Sequence, residues 1–147
     1  MSIMEYISKS EIETKNHANR VLNSLEKNIE TAKVIALCGN LGAGKTTFTQ
    51  GLAEVLEVSE QVNSPTFVLE KIYKINKKCG WEHLIHIDTY RLDNEAELIH
   101  LGWEEIISNP NNLIVIEWAD KIEKILPKST TIINFEFIDE ETRKISW

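Results

Sequence analysis

The sequence predicts a three-layer α/β domain, a mixed sheet with a parallel centre held between helices. Three stretches carry that prediction. The apolar run Val34-Ile35-Ala36-Leu37-Cys38 reads as a buried strand, passes through the glycine-rich stretch Gly39-Asn40-Leu41-Gly42-Ala43-Gly44-Lys45-Thr46-Thr47, and continues into a helical segment over residues 48–56. Leu113-Ile114-Val115-Ile116-Glu117 has the composition of a parallel strand buried on both faces. His83-Leu84-Ile85-His86-Ile87-Asp88 is a further strand, and it too ends in an acid. A chain of 147 residues is expected to form one domain, spanning residues 1–147.

The glycine-rich stretch has the pattern G-x-x-x-x-G-K-T. A polyphosphate needs many short-range donors, and backbone N–H groups supply them where no Cβ blocks the approach, which Gly39, Gly42 and Gly44 ensure. The helix N-terminus that follows adds partial positive charge. Lys45 has the reach for the β- and γ-phosphates and Thr46 carries a hydroxyl suited to Mg²⁺. Residues 39–47 are therefore candidate phosphate-binding residues as a block, and the fold expected is of the P-loop NTPase type.

Composition removes several classes. With 42% hydrophobic and 27% charged residues the chain is an ordinary globular one, and no apolar run approaches the ~20 residues that span a bilayer. The first residues show no basic segment followed by an apolar core, so a cytoplasmic protein is expected, with no membrane partner. A net charge of −7, with Arg20, Arg91 and Arg143 the only arginines, argues against a direct grip on nucleic acid. Cys38 and Cys79 belong to no C-x-x-C or ligand cluster and read as two reduced thiols without a shared task. His83 and His86 are three apart and point to opposite faces of a strand, which argues against a shared metal.

The remaining elements follow in order. Ser10-Glu11-Ile12-Glu13 offers a capping box, and Ile12, Ala18, Val21, Leu22 and Leu25 then recur at helical spacing, so the chain is expected to open with an amphipathic helix of about four turns. Preceding the phosphate loop, this helix makes Thr14 a candidate to cover a bound base. Pro65 forces Ser64 into an extended conformation, and Ser64-Pro65-Thr66 lies where nucleotide-hydrolysing folds place a switch; Ser64 and Thr66 are candidates to sense the metal or the γ-phosphate. Residues 67–75 read as a strand, and residues 95–101 and 103–107 as helical pieces joined at Gly102. Residues 119–126 read as a short helix stopped by Pro127, and residues 130–137 and 143–147 as a closing hairpin.

Asp88 and Glu117 each end a buried strand, where a charge needs a cation or exposure to offset its burial. One is assigned to Mg²⁺ and the other to the attacking water, and the residues alone do not say which. A guanine-reading N-K-x-D segment is missing, since Asn76-Lys77-Lys78-Cys79 lacks the acid, so ATP is favoured over GTP. Arg91 is the internal candidate for an arginine finger. A small-metabolite kinase is the alternative, disfavoured because no lid rich in cations is found; a third reading is a nucleotide-gated binding module.

The phosphate loop through Phe48, Asn63-Ser64-Pro65-Thr66-Phe67, His86-Ile87-Asp88-Thr89-Tyr90-Arg91-Leu92, Leu101-Gly102 and Ile116-Glu117-Trp118 together resemble the bacterial tRNA threonylcarbamoyladenosine biosynthesis ATPases of the TsaE (YjeE) type, in family order and over nearly the whole chain. The resemblance implies an ATPase that works with the threonylcarbamoyl transferase subunit and its companion subunit to form N6-threonylcarbamoyladenosine at position 37 of tRNAs reading codons that begin with A, meeting tRNA only indirectly. It implies that Thr46 and Glu117 hold Mg²⁺, that Asp88 is needed for hydrolysis, that the Ser-Pro-Thr segment is a switch, and that Trp118 lies near the nucleotide. Two departures stand out: position 40 is Asn where the family usually has Asp, and the connection before Val34 lacks the usual Gly. Hydrolysis is expected to be slow in isolation.

Overall fold

A computed structural model describes residues 4–40, 42–63 and 69–147. Seven strands form one sheet in the order β1-β7-β6-β2-β5-β4-β3. Its centre is β6 (Thr131–Phe137), β2 (Lys33–Gly39), β5 (Asn112–Glu117) and β4 (His83–Asp88), all parallel. Antiparallel β3 (Glu70–Lys74) closes one edge, while β7 (Arg143–Ser146) and β1 (Glu5–Ser8) close the other. This is the expected mixed sheet with a parallel centre.

Two apolar cores lie on opposite faces, which makes the architecture three-layered. Alternate residues of the central strands divide between them: Ile35, Leu37, Leu113 and Val115 pack under α1 (Glu11–Ser24) and α2 (Lys45–Val55). Val34, Ala36, Ile114 and Ile116 pack instead against α3 (Glu95–His100), α4 (Trp103–Ile107) and the 3-10 turn Ala119–Ile125. The short helix expected at residues 119–126 is of the 3-10 type and spans Ala119–Ile125, with Leu126 extended. Among the described residues no helix is long and apolar enough to cross a membrane.

The capping box forms with one variation. Ser10 Oγ accepts from the Glu13 amide at 3.1 Å, and the Glu13 carboxylate accepts in return from the Lys9 amide at 2.5 Å, one residue before the cap. The buried stripe of α1 is Thr14, His17, Ala18, Val21 and Leu22, whereas Ile12 is 71% exposed. The helix starts where the capping box placed it, and two polar residues in that stripe are why apolar periodicity alone counted Ile12 in it. The chain also does not open with this helix: β1 precedes it, a four-residue edge strand too short to announce itself by alternation.

Two contacts fix α1 in place. A Cβ on Gly51 would come within 2.7 Å of Lys15 Cα, so α1 and α2 touch backbone to backbone. Beneath α1, the His17 ring stacks on Tyr6 of β1 at 4.4 Å and meets Trp147 edge-on at 4.5 Å. Burial, helped by Arg20, pulls the His17 imidazole down to about 4.

Candidate functional site

Parallel strands end side by side, so the C-terminal ends of β2, β5 and β4 bring the glycine-rich loop, Glu117 and Asp88 to one edge of the sheet. Gly39 makes the exit from β2 possible. Its φ is +139°, and a Cβ there would stand 2.2 Å from the Phe135 carbonyl oxygen of β6. Only glycine fits that approach. The chain then turns through residues 42–44, and α2 begins with Lys45.

Lys45 is 4% exposed, and its ammonium donates to the carbonyls of Gly39 (2.6 Å) and Asn40 (3.0 Å) while lying 3.9 Å from the centre of the Trp118 ring. Burial pulls this ammonium below the ordinary lysine range, opposed by the carboxylates of Glu117, Asp120 and Asp88. It is a desolvated cation among acids, an arrangement that a polyphosphate would complete. Trp118 takes its place over Lys45 because its backbone is left-handed (φ 60°), and the Thr89 hydroxyl pins that turn by donating to the carbonyls of Glu117 (3.0 Å) and Trp118 (2.6 Å).

The two acids are register partners on adjacent strands, and each is 3% exposed. Glu117 is fixed at both oxygens. Thr46 donates its hydroxyl to Oε1 at 2.9 Å, and His86 Nε2 meets Oε2 at 2.5 Å. Asp88 Oδ1 accepts from the Tyr90 amide at 2.9 Å, and the Tyr90 ring packs 5.0 Å from Trp118.

These groups form one wall of a cavity of about 880 Å³. An outer wall comes from parts of the chain distant in sequence, and it meets the first, inner wall at Gly44, where Thr14 and Arg143 flank the loop. The β1–α1 junction supplies Lys9, Ser10, Glu11 and Thr14, and the β6–β7 hairpin supplies Glu140, Glu141 and Arg143. Thr14 is 2% exposed and shares a 2.6 Å hydrogen bond with Ser8. Arg143 is positioned by its own hairpin, donating to the carbonyls of Asp139 and Thr142 and stacking 4.7 Å from the Phe137 ring. The Asp139 carboxylate folds that turn by accepting from the amides of Glu141 (2.9 Å) and Thr142 (2.8 Å).

Most of the residues expected at the site converge here. Gly42, Ala43, Gly44, Lys45, Thr46, Thr47, Thr14, Asp88, Glu117 and Trp118 line the cavity, and Gly39 and Asn40 form the floor that holds Lys45. Leu41, Ser64, Pro65 and Thr66 lie outside the described residues. Among the described residues, Arg143 lines the cavity and Arg91 does not. Cys38 and Cys79 are both free thiols, and burial, with Asp120 beside it, holds Cys38 above the ordinary thiol range.

Sequence reasoning missed His86 and Arg143, as well as Lys9, Ser10, Glu11, Tyr90, Glu140 and Glu141 of the cavity lining. Parity held the signal for His86: it shares a strand face with Asp88, two residues on. For Arg143 no local signal exists, because its place depends on the hairpin lying beside the phosphate loop.

A strand, glycine-rich loop and helix at the C-terminal edge of a parallel-centred sheet, with an acid from each of two adjacent strands, define a three-layer P-loop NTPase-like α/β protein. Residues 8–145 match the family model of the threonylcarbamoyl adenosine biosynthesis protein TsaE, and the chain belongs to that family. It is 40% identical over 114 residues to the tRNA threonylcarbamoyladenosine biosynthesis protein TsaE of Bacillus subtilis, covering 78% of this chain and 68% of the relative. With the protein of the same description from Aquifex aeolicus it shares 31% identity over 144 residues, 97% of this chain and 96% of the relative. The crystal structure of Bacillus subtilis YdiB superposes with a TM-score of 0.69 at 29% identity, covering 99% of this chain and 84% of that one.

Proposed function

We propose that this chain is the ATP-binding and ATP-hydrolysing component of N6-threonylcarbamoyladenosine formation at position 37 of tRNAs reading codons that begin with A. It acts in the cytoplasm as a single domain, with the threonylcarbamoyl transferase subunit and its companion subunit, and meets tRNA through them. One observation carries the nucleotide reading. The Thr46 hydroxyl and Glu117 carboxylate, 2.9 Å apart, converge with the buried Lys45 ammonium at the sheet edge. A net charge of −7 supports indirect contact with tRNA.

The donor set fits Mg²⁺. A hydroxyl and a carboxylate are hard oxygen donors, and Mg²⁺ keeps waters and phosphate oxygens rather than filling an all-protein cage. Among the described residues there is no cluster of three His, Cys, Asp or Glu side chains of the kind a softer metal takes. Thr46 and Glu117 would hold the ion, which when bound neutralises charge on the phosphate oxygens.

The remaining steps belong to the protein. Lys45 exchanges its two carbonyl partners for phosphate oxygens, and the Trp118 ring keeps water from that side of the ammonium. The loop amides of residues 42–47 cradle the phosphates at the inner wall. Glu11, Glu140 and Glu141 outnumber Lys9 and Arg143 on the outer wall and make it less favourable for phosphate than the loop, so the base and ribose lie there, against Thr14 and Arg143. Asp88, beside Glu117 in register, orients the attacking water and accepts its proton.

The test is ATP turnover by the purified chain alone and with both partner subunits, with and without tRNA. Slow turnover alone and a rise on adding the partners is the expected result. Fast turnover by the isolated chain would remove the partner dependence, and phosphoryl transfer to a small metabolite instead of water would replace the hydrolase reading with a kinase.

A further inference from the structure

We infer that His86 is a positioning residue for the Glu117 carboxylate, holding Oε2 so that Oε1 is presented to Thr46 and the metal. The inference rests on the reading of Glu117 as a metal-holding group. His86 belongs to β4 and Glu117 to β5. His86 lies opposite Val115 and Asp88 opposite Glu117, so the imidazole and the carboxylate are diagonal neighbours on the same face of the sheet. Both are shut away from water, the His86 side chain at 0% exposure and that of Glu117 at 4%, and their contact is 2.5 Å.

The burial decides which nitrogen carries the proton. His86 Nδ1 has no hydrogen-bond partner among the described residues. With its proton on Nδ1, a neutral ring would bury an unpaired N–H and also aim a lone pair at a carboxylate oxygen. With the proton on Nε2, it donates to Glu117 and leaves only an unpaired acceptor, the smaller penalty. Nε2–H is therefore the donor. Its consequence for Glu117 is geometric: Oε2 is occupied, rotation of the carboxylate is blocked, and Oε1 alone faces the phosphate loop. A hydrogen-bond partner that orients a metal-holding group in this way commonly accounts for roughly 10–100-fold in metal affinity.

Two measurements test this. In the wild-type chain labelled with ¹⁵N in its imidazoles, long-range ¹H–¹⁵N spectra should show Nε2 of His86 protonated; an Nδ1–H, Nε2-bare ring would overturn the proposal without any substitution. Second, Mn²⁺ binding in the presence of ADP is followed by the electron paramagnetic resonance of free Mn²⁺, alongside ADP binding without metal. His86→Leu should weaken Mn²⁺ binding by roughly 10–100-fold with metal-free ADP binding unchanged, and His86→Gln, whose amide N–H can stand where Nε2–H stood, should return it to within about threefold of wild type. A purely structural role would lower both affinities together and gain nothing specific from Gln. Wild-type Mn²⁺ affinity in His86→Leu, beside a loss in Glu117→Gln, would sink the role of His86 alone. No loss in Glu117→Gln would sink the metal reading beneath it. If His86→Leu does not fold, the wild-type tautomer and the Gln variant decide.

Discussion

The two walls of the cavity are built on opposite principles. The charged groups of the inner wall are dry. Lys45, Asp88 and Glu117 are each under 5% exposed, and His86 behind them is fully covered. Their hydrogen bonds include those to carbonyls, a hydroxyl, the Tyr90 amide and one another. The charged groups of the outer wall are wet: Lys9, Glu11, Glu140 and Glu141 are exposed and Arg143 is half-buried, while the uncharged Thr14 is covered. Charges in a dry wall act at low dielectric and have one arrangement, whereas those in a wet wall are screened and interchangeable. The chemistry of the site belongs to the first wall, and the second supplies enclosure.

If that division holds, substitutions should rank by wall. Asp88→Ala removes the group placed on the attacking water, so turnover with the partner subunits present should fall by about 10²–10⁴-fold while nucleotide affinity stays near wild type. Normal turnover in that variant would take catalysis out of the inner wall. Lys45→Ala deletes a desolvated cation, and ADP affinity measured by calorimetry should drop on the order of 100-fold, about 3 kcal/mol.

The platform under the outer wall should show itself in acid. His17 sits at about 4 in the folded chain, below its unfolded value of about 6.5, so the unfolded chain takes up the proton first. The stability from keeping His17 neutral is complete above pH 6.5 and is lost as pH falls through that window. By pH 5 the loss is about 2 kcal/mol, and below pH 4 it levels off at about 3 kcal/mol. Urea unfolding at pH 7.5 and pH 5 reads it, and His17→Phe, which keeps a ring between Tyr6 and Trp147 but cannot titrate, should flatten that part of the slope. The smallest effect is expected from Arg143→Ala, a loss of nucleotide affinity under about tenfold that shrinks further in high salt. A loss as large as that of Lys45→Ala, insensitive to salt, would erase the distinction between the walls.

The same division sorts what could be read in the sequence. Asp88 and Glu117 were legible because each closes an apolar strand, and Lys45 and Thr46 because their spacing from Gly39 is local. The parallel centre of the sheet followed from the same runs. What was misread depended on register or on long-range pairing. The spacing of His83 and His86 correctly separated those two rings, but the partner of His86 lies across a strand pair whose alignment no local pattern fixes. Arg143 read as one side of a closing hairpin, which it is, yet that hairpin's position beside the loop follows from β6 pairing with β2. β1 has only four residues and its buried Ser8 is polar, so it carried no apolar alternation.

β1 is the outermost strand of the sheet, and β7 is its single neighbour there. Glu5 pairs with Ser146, Met4 exchanges both backbone hydrogen bonds with Trp147, and Glu5 forms an ion pair with Lys144 at 3.3 Å. Strands roughly 140 residues apart in sequence must meet before the edge exists, and closing so long a loop is a late and slow event in folding. During synthesis, therefore, β1 emerges first but has no neighbour to pair with until the last two strands, β6 and β7, have followed. The cavity stays one-walled until then.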